Sequence, residues 1–134
     1  MKPVFAIALT FWMGLQASAA YALDAIENVI SEQLDAFNDR DIPKAYGYAS
    51  PMIKRIFGGH DNFAMMVERA FPMVWDNADK RFMSLREEAG AVFQKVFVRG
   101  DDGAAFILEY KMIETEAGWL IDGVSVLPAP DVSA

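Results

Sequence analysis

Between Asp24 and Phe37 apolar residues recur every three or four positions: Ile26, Val29, Ile30, Leu34 and Phe37, with Gln33 among them. Glu27, Asn28, Glu32 and Asp35 fall on the opposite side, the pattern of an amphipathic helix. Asp24, three residues before Glu27, reads as its N-cap, and the polar run Asn38-Asp39-Arg40-Asp41 as its stop. Asp41 and Pro43 predict a short second helix carrying Ala45, Tyr46, Tyr48 and Ala49. Ser50-Pro51 is a cap followed by a first-turn proline. It opens a third helix with Met52, Ile53, Ile56 and Phe57 turned inward, ended by Gly58-Gly59. A fourth is expected from Asp61 to Phe71, with Phe63, Met66, Val67 and Ala70 apolar, and Pro72 blocks its continuation.

Beyond Pro72 the period changes to two. Val74-Trp75 and Arg81 to Arg86 read as short strands, and Ala91 to Arg99 as a longer one. Gly100-Asp101-Asp102-Gly103 is a hairpin turn. In Ala104 to Ile113, Phe106, Leu108, Tyr110 and Met112 face one way and Ile107, Glu109, Lys111 and Ile113 the other. A turn over Glu114 to Gly118 leads to a last strand, Trp119 to Leu127, with a frayed tail over residues 128–134. Helices followed by a meander predict an α+β fold, N-terminal helices packed on one face of an antiparallel sheet.

The first residues have another logic. Lys2 precedes a run from Val4 to Leu15 interrupted only by Thr10 and Gly14. That run falls short of the roughly 20 apolar residues that span a bilayer. Ala17-Ser18-Ala19 and Ala20-Tyr21-Ala22 both offer the small-x-small pattern of a signal-peptidase site. Residues 1–22 are therefore expected to be a secretory signal, with Ala22 favoured over Ala19 as the cleavage point and an uncleaved anchor as the alternative. Residues 23–127 then form a single domain in the periplasm or outside the cell.

The chain has 134 residues, 54% of them hydrophobic, and a formal charge of −7. Loss of Lys2 with the signal takes this to −8, because no other charge precedes Asp24. Such a balance repels nucleic acid and anionic lipid. The absence of cysteine removes disulfides, thiolate metal sites, cysteine nucleophiles and N-terminal lipid attachment.

In the helical half Ile30, Gln33, Leu34, Ala36, Phe37, Asp41, Ala45 and Tyr48-Ala49-Ser50-Pro51 stand in a particular order. Phe63, Met66-Val67, Phe71-Pro72-Met73-Val74 and Trp119-Leu120-Ile121-Asp122-Gly123-Val124 come after them. On these residues nearly all of the mature chain resembles a bacterial exported family of unknown function (number 4864). More broadly it resembles the nuclear transport factor 2-like, or cystatin-like, superfamily. The resemblance implies a cone: a curved sheet wrapped about a long first helix, with a cavity between. It spans isomerases, dehydratases, carriers and dimerisation modules, so it leaves the chemistry open.

His60, the sole histidine, is a candidate general base, with Asp61 or Asp122 to orient it; the alternative is an exposed loop or capping residue. Strand alternation puts Asp122 with Leu120, Val124 and Val126, where apolar neighbours would raise its pKa and suit it as a base; the alternative is an outer-face acid paired with Lys111. Glu87-Glu88, Asp101-Asp102 and the Asp39/Asp41 pair read as turn and capping residues. No spacing suits a metal, a serine nucleophile or a phosphate loop, so neither metal nor cofactor is expected. Tyr48, Phe63, Trp75, Tyr110 and Trp119 are the aromatic candidates for a pocket lining, each also suited to plain core packing. The expectation is a non-catalytic domain that binds a small apolar ligand or a protein, with a homodimer through the sheet as one form. The rival is an isomerase-like or dehydratase-like enzyme with Asp122 or His60 as base.

Overall fold

The computed structural model describes residues 22–128, so the expected signal (apart from Ala22) and most of the tail lie outside the described residues. A long helix, α1, covers residues 22–38. It is followed by α2 (Ile42–Gly47), α3 (Pro51–Phe57), α4 (His60–Ala70) and the single turn α5 (Pro72–Trp75). Four strands then run as a meander, β1 (Asn77–Glu88), β2 (Ala91–Gly100), β3 (Ala105–Thr115) and β4 (Gly118–Leu127), paired antiparallel in that order. The fold is α+β, with the helices packed on one face of a curved four-stranded sheet.

The periodic face of α1 is the centre of the core. Ile26, Ile30, Leu34 and Phe37 are at most 1% exposed and meet Val96, Val98, Leu108, Tyr110 and Met112 of the sheet. Local signals set the helix ends as expected. The Asp41 carboxylate accepts from the Lys44 amide, and the Ser50 hydroxyl accepts from the Ile53 amide. Gly58 closes α3 at φ +73°, a left-handed conformation that costs glycine little.

Several expectations are corrected. Asp24 lies inside α1, which is already helical at Ala22, so it is not the N-cap. Helix α4 begins at His60 rather than Asp61, with Gly59 before it and no side chain capping it. Ala70 is exposed rather than part of the apolar face. Met52 and Ile56 are 41% and 64% exposed, because α3 has only Ile53 and Phe57 against its neighbours. Val74-Trp75 is helical rather than extended. Pro72 at the first position presets φ for one turn, and the Trp75 amide donates to the Phe71 carbonyl. Strand β1 is longer than the expected Arg81–Arg86.

The sheet has three irregularities, the first a one-residue slip at the start of β1 between Asn77 and Asp79. On β1 the register slips between Phe82 and Leu85, so Met83 and Ser84 oppose Lys95 alone. On β4, Lys111 pairs with Gly123 but Met112 with Ile121, which makes Asp122 the extra residue of a bulge. Ile121 and Val124 consequently share the inner face, and the expected grouping of Asp122 with Val124 does not occur.

Arg40 ties the end of α1 to α5. At φ +56° it donates to the carbonyls of Phe37 and Trp75, pairs with Asp76, and lies 4.1 Å from the Trp75 ring centroid.

Candidate functional site: an apolar cavity between helices and sheet

Helices α1, α3 and α4 do not close completely on the β3–β4 half of the sheet, and a cavity of about 260 Å³ remains between them. Protein interiors ordinarily hold few voids larger than a water molecule. Gln33 and Phe37 of α1 form one wall, Phe63, Met66 and Val67 of α4 another, and Ile53, Ile56 and Phe57 of α3 a third. Tyr110, Ile121, Gly123 and Val124 form the sheet side. Ile56 belongs to the wall and is 64% exposed, which places the mouth beside α3.

An aromatic cluster stiffens this end of the domain. Phe63 has its ring centroid 6.0 Å from Phe37, 5.9 Å from Phe57 and 5.3 Å from Tyr46. Among the described residues of the wall, Gln33 and Tyr110 are the only ones with a side-chain nitrogen or oxygen; the rest are aliphatic, aromatic or, for Met66, thioether. Gln33 donates through Nε2 to the Ala45 carbonyl at 3.1 Å, locking α1 to α2. The Tyr110 hydroxyl is buried and has no hydrogen-bond partner among the described residues. Burial pushes its pKa well above the ordinary phenol value.

That lone hydroxyl has consequences for stability. Tyr110→Phe is expected to stabilise the ligand-free domain by about 1–2 kcal/mol, since it removes a buried polar atom that makes no bond. Because the folded state holds the phenol proton more tightly than the unfolded state, the wild type keeps its full stability below about pH 10. It then loses about 1.4 kcal/mol per pH unit as pH rises above that value. Tyr110→Phe should lack this increment. Urea midpoints of both proteins at pH 8 and pH 10.5 test it, and parallel alkaline losses would contradict it.

Of the aromatic residues expected to line a pocket, Phe63 and Tyr110 do so. Tyr48 points elsewhere: its hydroxyl donates to the Glu32 carboxylate at 2.9 Å, and partial burial together with that acid raises its pKa. Trp75 packs against Phe37 and under Arg40. Trp119 lies over an open hollow at the turn end of the sheet, beside Glu87, Glu88 and Glu114.

The acid–base candidates are also outside the wall. The Asp122 side chain, 10% exposed, accepts from the Ser50 hydroxyl at 2.7 Å and lies 3.4 Å from the Lys111 ammonium. Backbone bonds lie alongside, from the Ser50 amide to the Ile121 carbonyl and from the Ile121 amide to the Tyr48 carbonyl, each 2.8 Å. Asp122 thus joins the cap of α3 to the edge of β4. His60 is half exposed, with Nδ1 3.1 Å from Asp61 and its ring against Tyr46. Neither Asp122 nor His60 belongs to the wall, and among the described residues the wall holds no Asp, Glu, His, Lys or Arg. Among the described residues no group of three or more His, Asp or Glu is arranged to hold a metal ion.

Sequence reasoning missed Gln33, Ile53, Met66 and Val124 as wall residues. Each reads as an ordinary member of a helix face or strand, and only Gln33, polar on the buried side of α1, carried a signal.

A family model described as Domain of unknown function (DUF4864) matches residues 20–134. No curated protein and no solved structure matches the chain.

Proposed function

We propose that this chain, which belongs to the family described as Domain of unknown function (DUF4864), is an exported, non-catalytic domain that holds one small apolar molecule between its helices and its sheet. The observation that carries this reading is the cavity of about 260 Å³, walled by hydrocarbon and open beside Ile56. Burying apolar ligand surface there releases about 25 cal/mol per Å² removed from water, and a preformed space spares the cost of making room. A general base in the cavity is what an isomerase or dehydratase would need, and Asp122 and His60 stand outside its wall. The order of helices and meander supports placing the chain in the nuclear transport factor 2-like superfamily. The leader pattern over residues 1–22 supports export, with the mature domain in the periplasm or outside the cell.

A second reading, a protein-interaction module, is favoured by the exposed apolar group Met52, Ile56 and Met65 on α3 and α4. Self-association through the sheet belongs to that reading. The outer face presents Phe93 under Arg86, and Phe97 under Arg81 and Arg99.

Native mass spectrometry of the protein made by cells expressing the full chain tests both parts. The expected species is the polypeptide beginning at Leu23 with one small molecule attached. Val124→Phe, which places a ring in the cavity from a strand position suited to aromatics, is expected at the bare polypeptide mass. A wild type that is always bare would count against the ligand, and a retained leader against export.

A further inference from the structure

We infer that the outer face of the sheet docks another protein through a segment in which acidic residues flank apolar ones. This goes beyond the ligand reading, is independent of the cavity, and gives the interaction reading a face and a partner chemistry.

The apolar content of that face is the first argument. The helices pack on one side of the sheet, and a sheet covered on one side ordinarily turns polar residues to the other. Phe97 on β2 pairs with Ile107 on β3, and Ile107 with Leu127 on β4, so three large apolar side chains form one row across the strands. Phe97 and Ile107 alternate with the buried Val96, Val98 and Leu108, which puts the row on the outer side. None of the three belongs to the core or packs against it, and each is half-buried among the described residues.

Charge supplies the chemistry of the partner. Arg81 lies opposite Phe97 on β1, and Lys95 and Arg99 stand two positions to either side of it on β2. The guanidinium carbons of Arg81 and Arg99 are 4.9 Å and 5.3 Å from the Phe97 ring centroid, so one ring holds two positive charges. Among the described residues Arg81, Lys95 and Arg99 enter no ion pair, whereas Arg86 and Lys111 further along the face are held by Glu88, Glu109 and Asp122. Glu109, opposite Lys95, is thus taken by Arg86, and Asp79, opposite Arg99, accepts from the Lys80 amide. The result is an uncompensated cationic patch on a chain of net charge −7. Carboxylates on either side of an apolar side chain meet these cations while that side chain covers the Phe97 row, and arginine can hold a carboxylate through two parallel bonds.

Other occupants fit less well. A second copy laid face to face joins a patch to itself, which brings two uncompensated cationic patches together. Nucleic acid meets the negative charge of the whole chain.

The test uses the protein purified from cells expressing the full chain and a synthetic peptide of about eight residues. Its glutamates and leucines alternate with serine, so that both kinds lie on one side of an extended chain, and a counterpart carries lysine for glutamate. In amide NMR spectra the glutamate peptide is expected to shift the amides of Val96 to Val98 and Phe106 to Leu108, and the lysine peptide none. Arg81→Ala combined with Arg99→Ala should weaken the glutamate peptide about fivefold, the range of two exposed charge pairs. Lys44→Ala combined with Arg69→Ala, which removes two exposed cations from α2 and α4, should leave it within about twofold. The spectrum of each variant shows directly that it folds. Equal binding of the lysine peptide, an unchanged affinity without Arg81 and Arg99, or no shift at about 2 mM peptide overturns the inference. So does a concentration-dependent shift of the same amides without peptide, which would mean that a second copy takes the face. Val124→Phe should alter none of these results, so the inference and the cavity reading fail separately.

Discussion

Phe37→Ala is expected to destabilise the domain by about 3–5 kcal/mol, the usual cost of truncating a buried phenylalanine. Phe37 is 1% exposed at the end of α1, with its ring centroid 6.0 Å from both Phe63 and Trp75. Those neighbours are poorly placed to collapse into the vacated space. Trp75 is held under the Arg40 guanidinium, and Phe63 is wedged among Phe57 and Tyr46. The new void would also adjoin the existing cavity, of which Phe37 is a wall, so no other atoms stand ready to restore the dispersion attraction that the ring supplied. Against a total stability of about 5–15 kcal/mol for a domain of ordinary stability, this is a large share. The measurement is the urea midpoint at unchanged slope. Met52→Ala is the control: its side chain is exposed, so a change within about 0.5 kcal/mol is expected. A loss below about 1.5 kcal/mol for Phe37→Ala would mean that Phe63 and Trp75 do relax into the space.

Gln94→Leu is expected to cost about 2–3 kcal/mol, although it puts an apolar side chain of similar size into the core. Gln94 is 1% exposed on β2, paired with Leu85 immediately beside the bulge of β1. Its Nε2 reaches the carbonyls of Met83 (3.0 Å), Lys95 (2.9 Å) and, at longer range, Ser84 (3.4 Å). A two-for-one bulge disrupts the ladder locally, and the side-chain amide supplies donors at that break. Leucine supplies no donor, so the Met83 and Lys95 carbonyls would have to find water or remain unpaired. Gln94→Glu should be worse at neutral pH, because a carboxylate would face those carbonyls with no cation beside it. Hydrogen exchange localises the effect: amides of β1 around Leu85 should exchange faster in Gln94→Leu while those of β3 change little. Uniform loss of protection would instead indicate a global defect unconnected with the bulge.

These two residues differ in how far they could be read from the chain. Phe37 was legible as core because it continues the spacing Ile26, Ile30, Leu34, and a helix in contact with a sheet must bury its apolar stripe. Gln94 was not, since nothing in its own neighbourhood announces a slip in the strand beside it. The same division runs through the cavity. Phe63 and Tyr110 were named from the sequence as aromatic lining, but so were Tyr48, Trp75 and Trp119, which pack elsewhere. Aromatic character marks a side chain as buriable without saying against what.

What the sequence determined by itself rests on interactions that are local or periodic. Asp41, Ser50 and Gly58 end or begin helices through bonds and dihedral preferences spanning a few residues. The change from a period near 3.6 to a period of two divides helices from meander, and with it the α+β class. Tertiary structure decided the rest. Met52 and Ile56 are exposed because, among the described residues, no element covers those side chains of α3. Asp122 leaves its expected face because one extra residue in β4 reverses the alternation, a change that pairing imposes and composition cannot reveal. The cavity is the strongest case. It is bounded by residues as distant as Gln33 and Val124, and a space exists only where helices of particular lengths fail to meet a sheet of particular curvature. Packing is a property of all the partners at once, so the void and the buried, unpartnered Tyr110 hydroxyl became visible only in the assembled fold.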